Sequence, residues 1–396
     1  MKLLILHASA GGGHRRAAEA LAIAAEARGL GVVVRDILDF MPPLYRRTYA
    51  KGYLTLVRSA PELWGYLYAQ SDRSAQDPLE RRFRTTFNKL NSLSFLRFLT
   101  RASPDAVLCT HFLPLELIGT LPPRRRRGLP LFGVVTDFAA HALWYCGGVD
   151  AYYVATEEAR RQLARRGQAM DRVIISGIPV LPAFVPGPAP RAARARLGLR
   201  PELPAVLVLN GGLGVGPALE LIRACEADPP PCQLLIVTGR NPSFEAKART
   251  AAAQIPMPTT VYGFVENIHE LMDAADLVIS KPGGLTMAEA LAKGRPVMIM
   301  DPIPGQEQRN GEYLLEAGCA VRVFEAEEAC WKIGVLLRDH ARLGTLSANA
   351  RHLGRPRAAE EILDDVLTRI PGPSRDVEVK AGEHSSTVGA QTGTKG

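Results

Sequence analysis

The stretch Ser280-Lys281-Pro282-Gly283-Gly284 lies between an apolar run at 277–279 and a helical stretch that begins near Thr286. A strand, a glycine turn and a helix N-terminus form an anion site, because free backbone N–H groups and the helix dipole converge on one spot. Lys281 adds a full positive charge to that turn. Glu289 falls about one turn inside the helix, where a carboxylate reaches the sugar hydroxyls of a nucleotide whose phosphates rest on the turn. The same residues also fit a plain capping box, Thr286-x-x-Glu289, that needs no ligand.

A similar turn opens the chain, Ala8-Ser9-Ala10-Gly11-Gly12-Gly13-His14. Glycines such as Gly12 and Gly13 let another molecule approach the backbone closely. His14 then starts a helix, where the positive dipole end favours the neutral imidazole that a general base needs. A histidine that only caps the helix is the plainer alternative. Asp137 and His141 follow another strand and are candidates to work with His14, although a post-strand aspartate is more often a cap.

The loop from Asp301 to Asn310 is stiffened by Pro302, Pro304 and Gly305, and it carries Gln306, Glu307 and Asn310. Amides and a carboxylate on a stiff loop bind vicinal sugar hydroxyls bidentately, while capping of a helix beginning near Gly311 is the ordinary alternative. Further glycine turns, Gly211-Gly212 and Gly239, end strands of the second half. No Asp-x-Asp pair stands ready for a metal-bound diphosphate, so no metal is expected, and Lys281, the glycine turns and helix dipoles carry the charge. A nicotinamide site is disfavoured. Asp36 follows the second strand, but neither glycine loop spells G-x-G-x-x-G.

These residues need two parallel sheets to position them. Short apolar runs at 3–6, 31–35, 106–109, 131–135, 151–155 and 173–176 alternate with helical stretches, and the alternation restarts at 205–210, 234–238, 260–262, 277–279 and 297–300. Strands alternating with helices predict an α/β protein with a parallel sheet covered on both faces, here twice. The expected organisation is a first domain at 1–180, a Pro-rich linker at 181–204, a second domain at 205–345, a helical segment at 346–371 and a disordered tail at 372–396.

At 396 residues and 47% hydrophobic, the chain has material for a core in each half. No apolar run approaches the ~18–20 residues of a membrane span. The four apolar residues after Lys2 are too few for a signal peptide, and the six scattered cysteines form no Cys-x-x-Cys pair, so neither a disulfide frame nor a zinc site is expected. The net charge of +8 is concentrated at 41–100, where ten Lys/Arg face four acids and ten aromatics are interspersed. Basic charge mixed with aromatics suits an anionic membrane surface or single-stranded nucleic acid. It also suits a plain helix pair with aromatics facing the core.

Taken in order, the motifs resemble the monogalactosyldiacylglycerol synthases and bacterial processive diacylglycerol glycosyltransferases. Ser9 to His14 with Ala17-Ala18 is similar to that family's N-terminal signature, and Thr136-Asp137 through His141 and Trp144 to its central motif. Gly263-Phe264-Val265-Glu266-Asn267, Lys281 through Glu289, and Pro304-Gly305-Gln306-Glu307 with Asn310 are similar to its donor motifs. The family usually has a proline beside the central histidine, where this chain has Ala142.

The resemblance implies a GT-B fold, two Rossmann-like halves around a cleft, with a UDP-hexose donor held mainly by the second half. Phe264 and Val265 would lie by the uracil. Ser280, Gly283, Gly284 and Thr286 would hold the diphosphate, with Gly211 and Gly212 approaching it. Glu289 would take the ribose, and Gln306, Glu307 and Asn310 the hexose. His14, aided by Asp137, would deprotonate a lipid hydroxyl, with diacylglycerol the expected acceptor. The reaction expected is inverting transfer of glucose or galactose, with the UDP-sugar a co-substrate and no cofactor. The segment 41–100 sits where the family has its membrane-binding region, so the expected location is cytoplasmic, on the inner membrane face, with no nucleic-acid partner. The alternatives are an epimerase-like enzyme of UDP-N-acetylhexosamines, a transferase with another acceptor, or a silent nucleotide-sugar-binding protein.

Overall fold

The computed structural model describes residues 1–370 except 10, 75–76, 78, 80–81, 83, 87, 89–91, 127 and 211–217, with backbone only at 50, 51, 53, 54 and 58. The expected tail at 372–396 therefore lies outside the described residues.

Six strands, β1 (Lys2–His7), β2 (Gly31–Asp36), β3 (Ala106–Cys109), β4 (Leu131–Val134), β5 (Ala151–Val154) and β6 (Val173–Ile175), form one sheet in the order β2-β1-β3-β4-β5-β6. A second sheet holds β7 (Ala205–Leu209), β8 (Gln233–Val237), β9 (Thr259–Tyr262), β10 (Leu277–Ser280), β11 (Val297–Ile299) and β12 (Ala320–Arg322), in the order β12-β11-β10-β7-β8-β9. Every pairing is parallel. The central strands are buried throughout and apolar except for Ser280 at the end of β10, as a sheet covered on both faces requires. The C-terminal strand ends of the two sheets face each other, since residues after β4 bond to residues after β11. Two such halves across a cleft are the GT-B architecture.

Sequence patterning misses β12, whose three residues are too few to show a period. The Pro-rich stretch at 181–204 has structure of its own. Its helix Pro190–Arg196 packs on the helix Ile268–Ala274, and Arg194 donates to Asp276 at 2.8 Å and to the Ala274 carbonyl. It therefore docks onto the second half. The C-terminal segment divides. The helix His340–Leu353 stays with the second half through Leu346 and Ala350, whereas Ala358–Arg369 crosses back to the first. There Ile362, Leu363 and Val366 are fully buried against the helix Gly12–Glu26 and the sheet, each stabilising by about 1.5–3 kcal/mol. Asp365 accepts from the Tyr153 hydroxyl at 2.7 Å, which fixes the strap to β5.

The basic, aromatic segment is helical. Pro43–Ser59 ends at Ala60, and Pro61–Ser74 restarts because Pro61 has no N–H to continue the first helix. Its aromatics divide between core and surface. Phe95 is buried, while Leu44, Leu63, Tyr66 and Leu67 are exposed.

Candidate active site

His14 is placed by Gly11, whose φ of 143° is open only to glycine and turns the chain from β1 into the helix Gly12–Glu26. The ring Nδ1 lies 2.8 Å from the Thr110 carbonyl oxygen and 2.8 Å from Thr136 Oγ1. A carbonyl only accepts, so Nδ1 carries the proton and the Nε2 lone pair is left for chemistry. Burial lowers the pKa of His14, with Asp137 and the Thr110 carbonyl opposing, and the ring is neutral near pH 7. Thr110 also donates its hydroxyl to the His14 carbonyl at 2.8 Å, so one residue holds both the backbone and the ring.

Asp137 follows β4 and is bonded across the cleft. Asn310 Nδ2 donates to Asp137 Oδ1 at 3.0 Å and to the Pro282 carbonyl at 3.1 Å, while Asn310 Oδ1 accepts from the Phe138 N–H at 2.8 Å. Asn310 is fully buried, and its amide is committed to protein partners on both halves. Burial pushes the Asp137 carboxyl up, partly offset by Asn310 and His14.

The helix after β10 starts at Gly284, two residues before the expected Thr286, with Gly283 as its N-cap and no side-chain cap. The capping box is therefore not formed: Thr286 is the third helical residue, and the first-turn N–H groups keep their anion-binding capacity. A Cβ on Gly284 would run into the Thr136 carbonyl and come within 2.9 Å of Asp137 Oδ1, so this glycine is required by contact between the halves. Ser280 Oγ donates to the Lys281 carbonyl at 2.9 Å. Glu289 is half-buried, its carboxyl has no hydrogen bond among the described residues, and burial pushes that carboxyl up to about 8 against the pull of Arg16.

Gly305, with φ 96°, starts the helix Gln306–Glu316, which begins five residues before the expected Gly311. Gln306 and Glu307 thus stand in its first turn. Glu307 Oε2 accepts from the Ile303 N–H at 2.9 Å, and burial raises its carboxyl to about 7, with the Ile303 N–H and Lys281 opposing. Gly239, with φ 73°, follows β8. Next to it the Arg240 guanidinium stacks 4.0 Å over the exposed Phe264 ring, while Val265 packs on the core of the second half. Gly211 and Gly212 lie outside the described residues. No group of three or more His, Cys, Asp or Glu side chains fit to hold a metal occurs among the described residues.

His141 makes its hydrogen bonds away from His14. Its Nδ1 accepts from Leu143 N–H at 3.1 Å, and its Nε2 lies 3.2 Å from both the Tyr68 carbonyl and Ser71 Oγ on the helix Pro61–Ser74. Sequence reasoning missed the centre of that contact, Asp72. It accepts from Ala142 N–H at 2.7 Å and from Arg166 and Arg309 at 3.0 Å each. Burial would raise its carboxyl, but Ala142, His141 and Arg309 outweigh that and hold it low. Arg309 belongs to the second half and also lies over the Tyr68 ring. The helix Pro61–Ser74 is therefore clasped to the helix that carries Gln306 and Glu307.

Residues 14–180 match the family model of monogalactosyldiacylglycerol (MGDG) synthase, and residues 205–355 match the glycosyltransferase family 28 C-terminal domain. Together with the two facing sheets, these matches define a glycosyltransferase of the GT-B class. The chain is similar to the processive diacylglycerol beta-glucosyltransferase of Bacillus subtilis (strain 168), 28% identical over 367 residues that cover 92% of this chain and 94% of the relative. Among solved structures it shares its fold with Acinetobacter baumannii MurG, at TM-score 0.63, 16% identity and coverage of 93% and 99% of the two chains. It also shares the fold of the UDP-GlcNAc 2-epimerase of Neisseria meningitidis, at TM-score 0.55, 13% identity and coverage of 93% and 100%.

Proposed function

We propose that this chain transfers a hexose from UDP-glucose or UDP-galactose to the free hydroxyl of diacylglycerol, with inversion at the anomeric carbon. The observation that carries this reading is His14, tied through Nδ1 to Thr110 and Thr136 so that Nε2 is a neutral acceptor at the cleft. Nε2 takes the hydroxyl proton, the oxygen attacks the anomeric carbon, and the bond to the UDP oxygen breaks. Asp137, electrostatically coupled to His14, stabilises the imidazolium that forms. Lys281 and the first-turn N–H groups at Gly284 and Thr286 take the charge of the departing diphosphate, with Ser280 and Gly283 shaping the turn. Glu289 meets the ribose, Phe264 and Val265 the uracil, and Gln306 and Glu307 the hexose, with Asn310 holding the halves shut around it. No metal is needed in this scheme.

The name of the Bacillus relative supports the acceptor, and so does the surface of the first half. Leu44, Leu63, Tyr66 and Leu67 are exposed on helices that also carry Arg46, Arg47 and Arg73, which suits peripheral docking on the cytoplasmic face of an anionic membrane. The test is incubation with radiolabelled UDP-glucose or UDP-galactose and diacylglycerol vesicles. Labelled glycolipid is the expected product. Conversion of the donor in the absence of any lipid would instead mark an epimerase.

A further inference from the structure

His111 has no part in the scheme above, yet it stands against its base. It follows Thr110, the residue that holds the His14 ring, and the two imidazoles meet edge to face with centroids 4.7 Å apart. His111 Nδ1 accepts the Leu113 N–H at 3.0 Å and so caps the helix Phe112–Gly119. With Nδ1 accepting, the neutral ring carries its proton on Nε2. The side chain is only 2% exposed, and that Nε2 has no hydrogen-bond partner among the described residues. A ring N–H with no protein partner is free to donate to a ligand. The two rings thus offer complementary atoms, an acceptor on His14 and a donor on His111.

The surroundings indicate what the donor meets. Phe112 stacks on His111 at 4.2 Å, Tyr49 lies 6.3 Å away, and Tyr45 stacks on Tyr49 at 5.8 Å. Tyr45 and Tyr49 belong to the helix Pro43–Ser59, in the basic segment with exposed leucines. An aromatic wall of Tyr45, Tyr49 and Phe112 therefore runs from the helix Pro43–Ser59 to the two imidazoles.

We infer that His111 is an acceptor-binding residue whose Nε2–H donates to the ester carbonyl next to the reacting hydroxyl of a diacylglycerol, while His14 takes the hydroxyl proton. This rests on the lipid-acceptor reading and adds the group on the acceptor that is recognised. A fully ether-linked dialkylglycerol has the same hydroxyl and chains but no such carbonyl, so it isolates the contact. His111→Asn is the matching variant, because asparagine keeps an oxygen for the Leu113 N–H and removes the ring donor.

The experiment measures kcat/KM of full-length wild type and His111→Asn with vesicles of diacylglycerol or dialkylglycerol, at saturating UDP-sugar. The variant should lose about tenfold on diacylglycerol through acceptor KM, the value of one such hydrogen bond. It should lose nothing on dialkylglycerol, and KM for the UDP-sugar should not move. Equal losses on both lipids, or no loss on either, would overturn the inference. Should the variant fold poorly, the wild type alone decides: a preference for diacylglycerol of about the same factor is expected, and equal use of both lipids contradicts it. A wild type that glycosylates neither lipid sinks the lipid-acceptor reading itself, an outcome separate from these.

Discussion

The glycine turns of the two halves read alike as sequence, and the structure packs them differently. At Gly284 a Cβ would run into the Thr136 carbonyl of the other half, whereas at Gly11 or Gly12 it would meet nothing within 4 Å. The first turn needs glycine for its backbone at Gly11 and leaves open space in front of the helix. The second needs glycine because another domain touches it. Similar strings can thus be left open in front or be pressed by the facing domain, and only the partner surface tells them apart.

The largest effect should come from filling the contact. Gly284→Ala pushes Thr136 and Asp137 away from the donor turn, and a displacement near 1 Å at a reacting site costs about a hundredfold in rate. Gly12→Ala should leave the melting temperature unchanged, so any loss of transfer in it reports ligand approach to the open turn. Equal behaviour of the two variants in melting and turnover would erase the distinction.

Asn310→Ala comes next. It strands the Phe138 N–H and the Asp137 carboxyl, and calorimetry should show a loss of about 1–3 kcal/mol. A variant as stable as the wild type would mean that the halves are held elsewhere.

The smallest effect is set by pH. The Glu289 carboxyl titrates near 8 in the folded chain, against about 4.3 unfolded. The folded state holds more protons between those values, so this group lowers stability as pH rises through that window. Glu289→Gln should therefore raise the melting temperature more at pH 8 than at pH 5, while weakening UDP-sugar binding. The same shift at both values would show that the carboxyl is not held neutral by burial.

Much of the fold is legible in the chain, because alternation of apolar runs and helical stretches is a local signal. The glycine turns and His14 are legible for the same reason, each lying where a strand passes into a helix. What fails to show are contacts between distant segments. Asn310 reads as a sugar ligand beside Gln306 and Glu307, yet its Oδ1 bonds to Phe138, 172 positions away. Asp72 reads as one acid in a basic run, and its partner Arg309 is 237 positions distant. His141 shares a motif with Asp137 but turns to a helix 70 positions earlier. No window of sequence contains these pairs, so burial and charge pairing across the cleft appear only in three dimensions.

The central claim is that the Nε2 of His14 removes the proton from a lipid hydroxyl. Single-turnover transfer from radiolabelled UDP-hexose to diacylglycerol vesicles, by wild type and His14→Ala, with UDP binding followed by calorimetry, tests it most directly. The account predicts that the variant binds UDP as the wild type does and loses about 10²- to 10⁴-fold in transfer rate. A His14→Ala protein that makes glycolipid at the wild-type rate would contradict it.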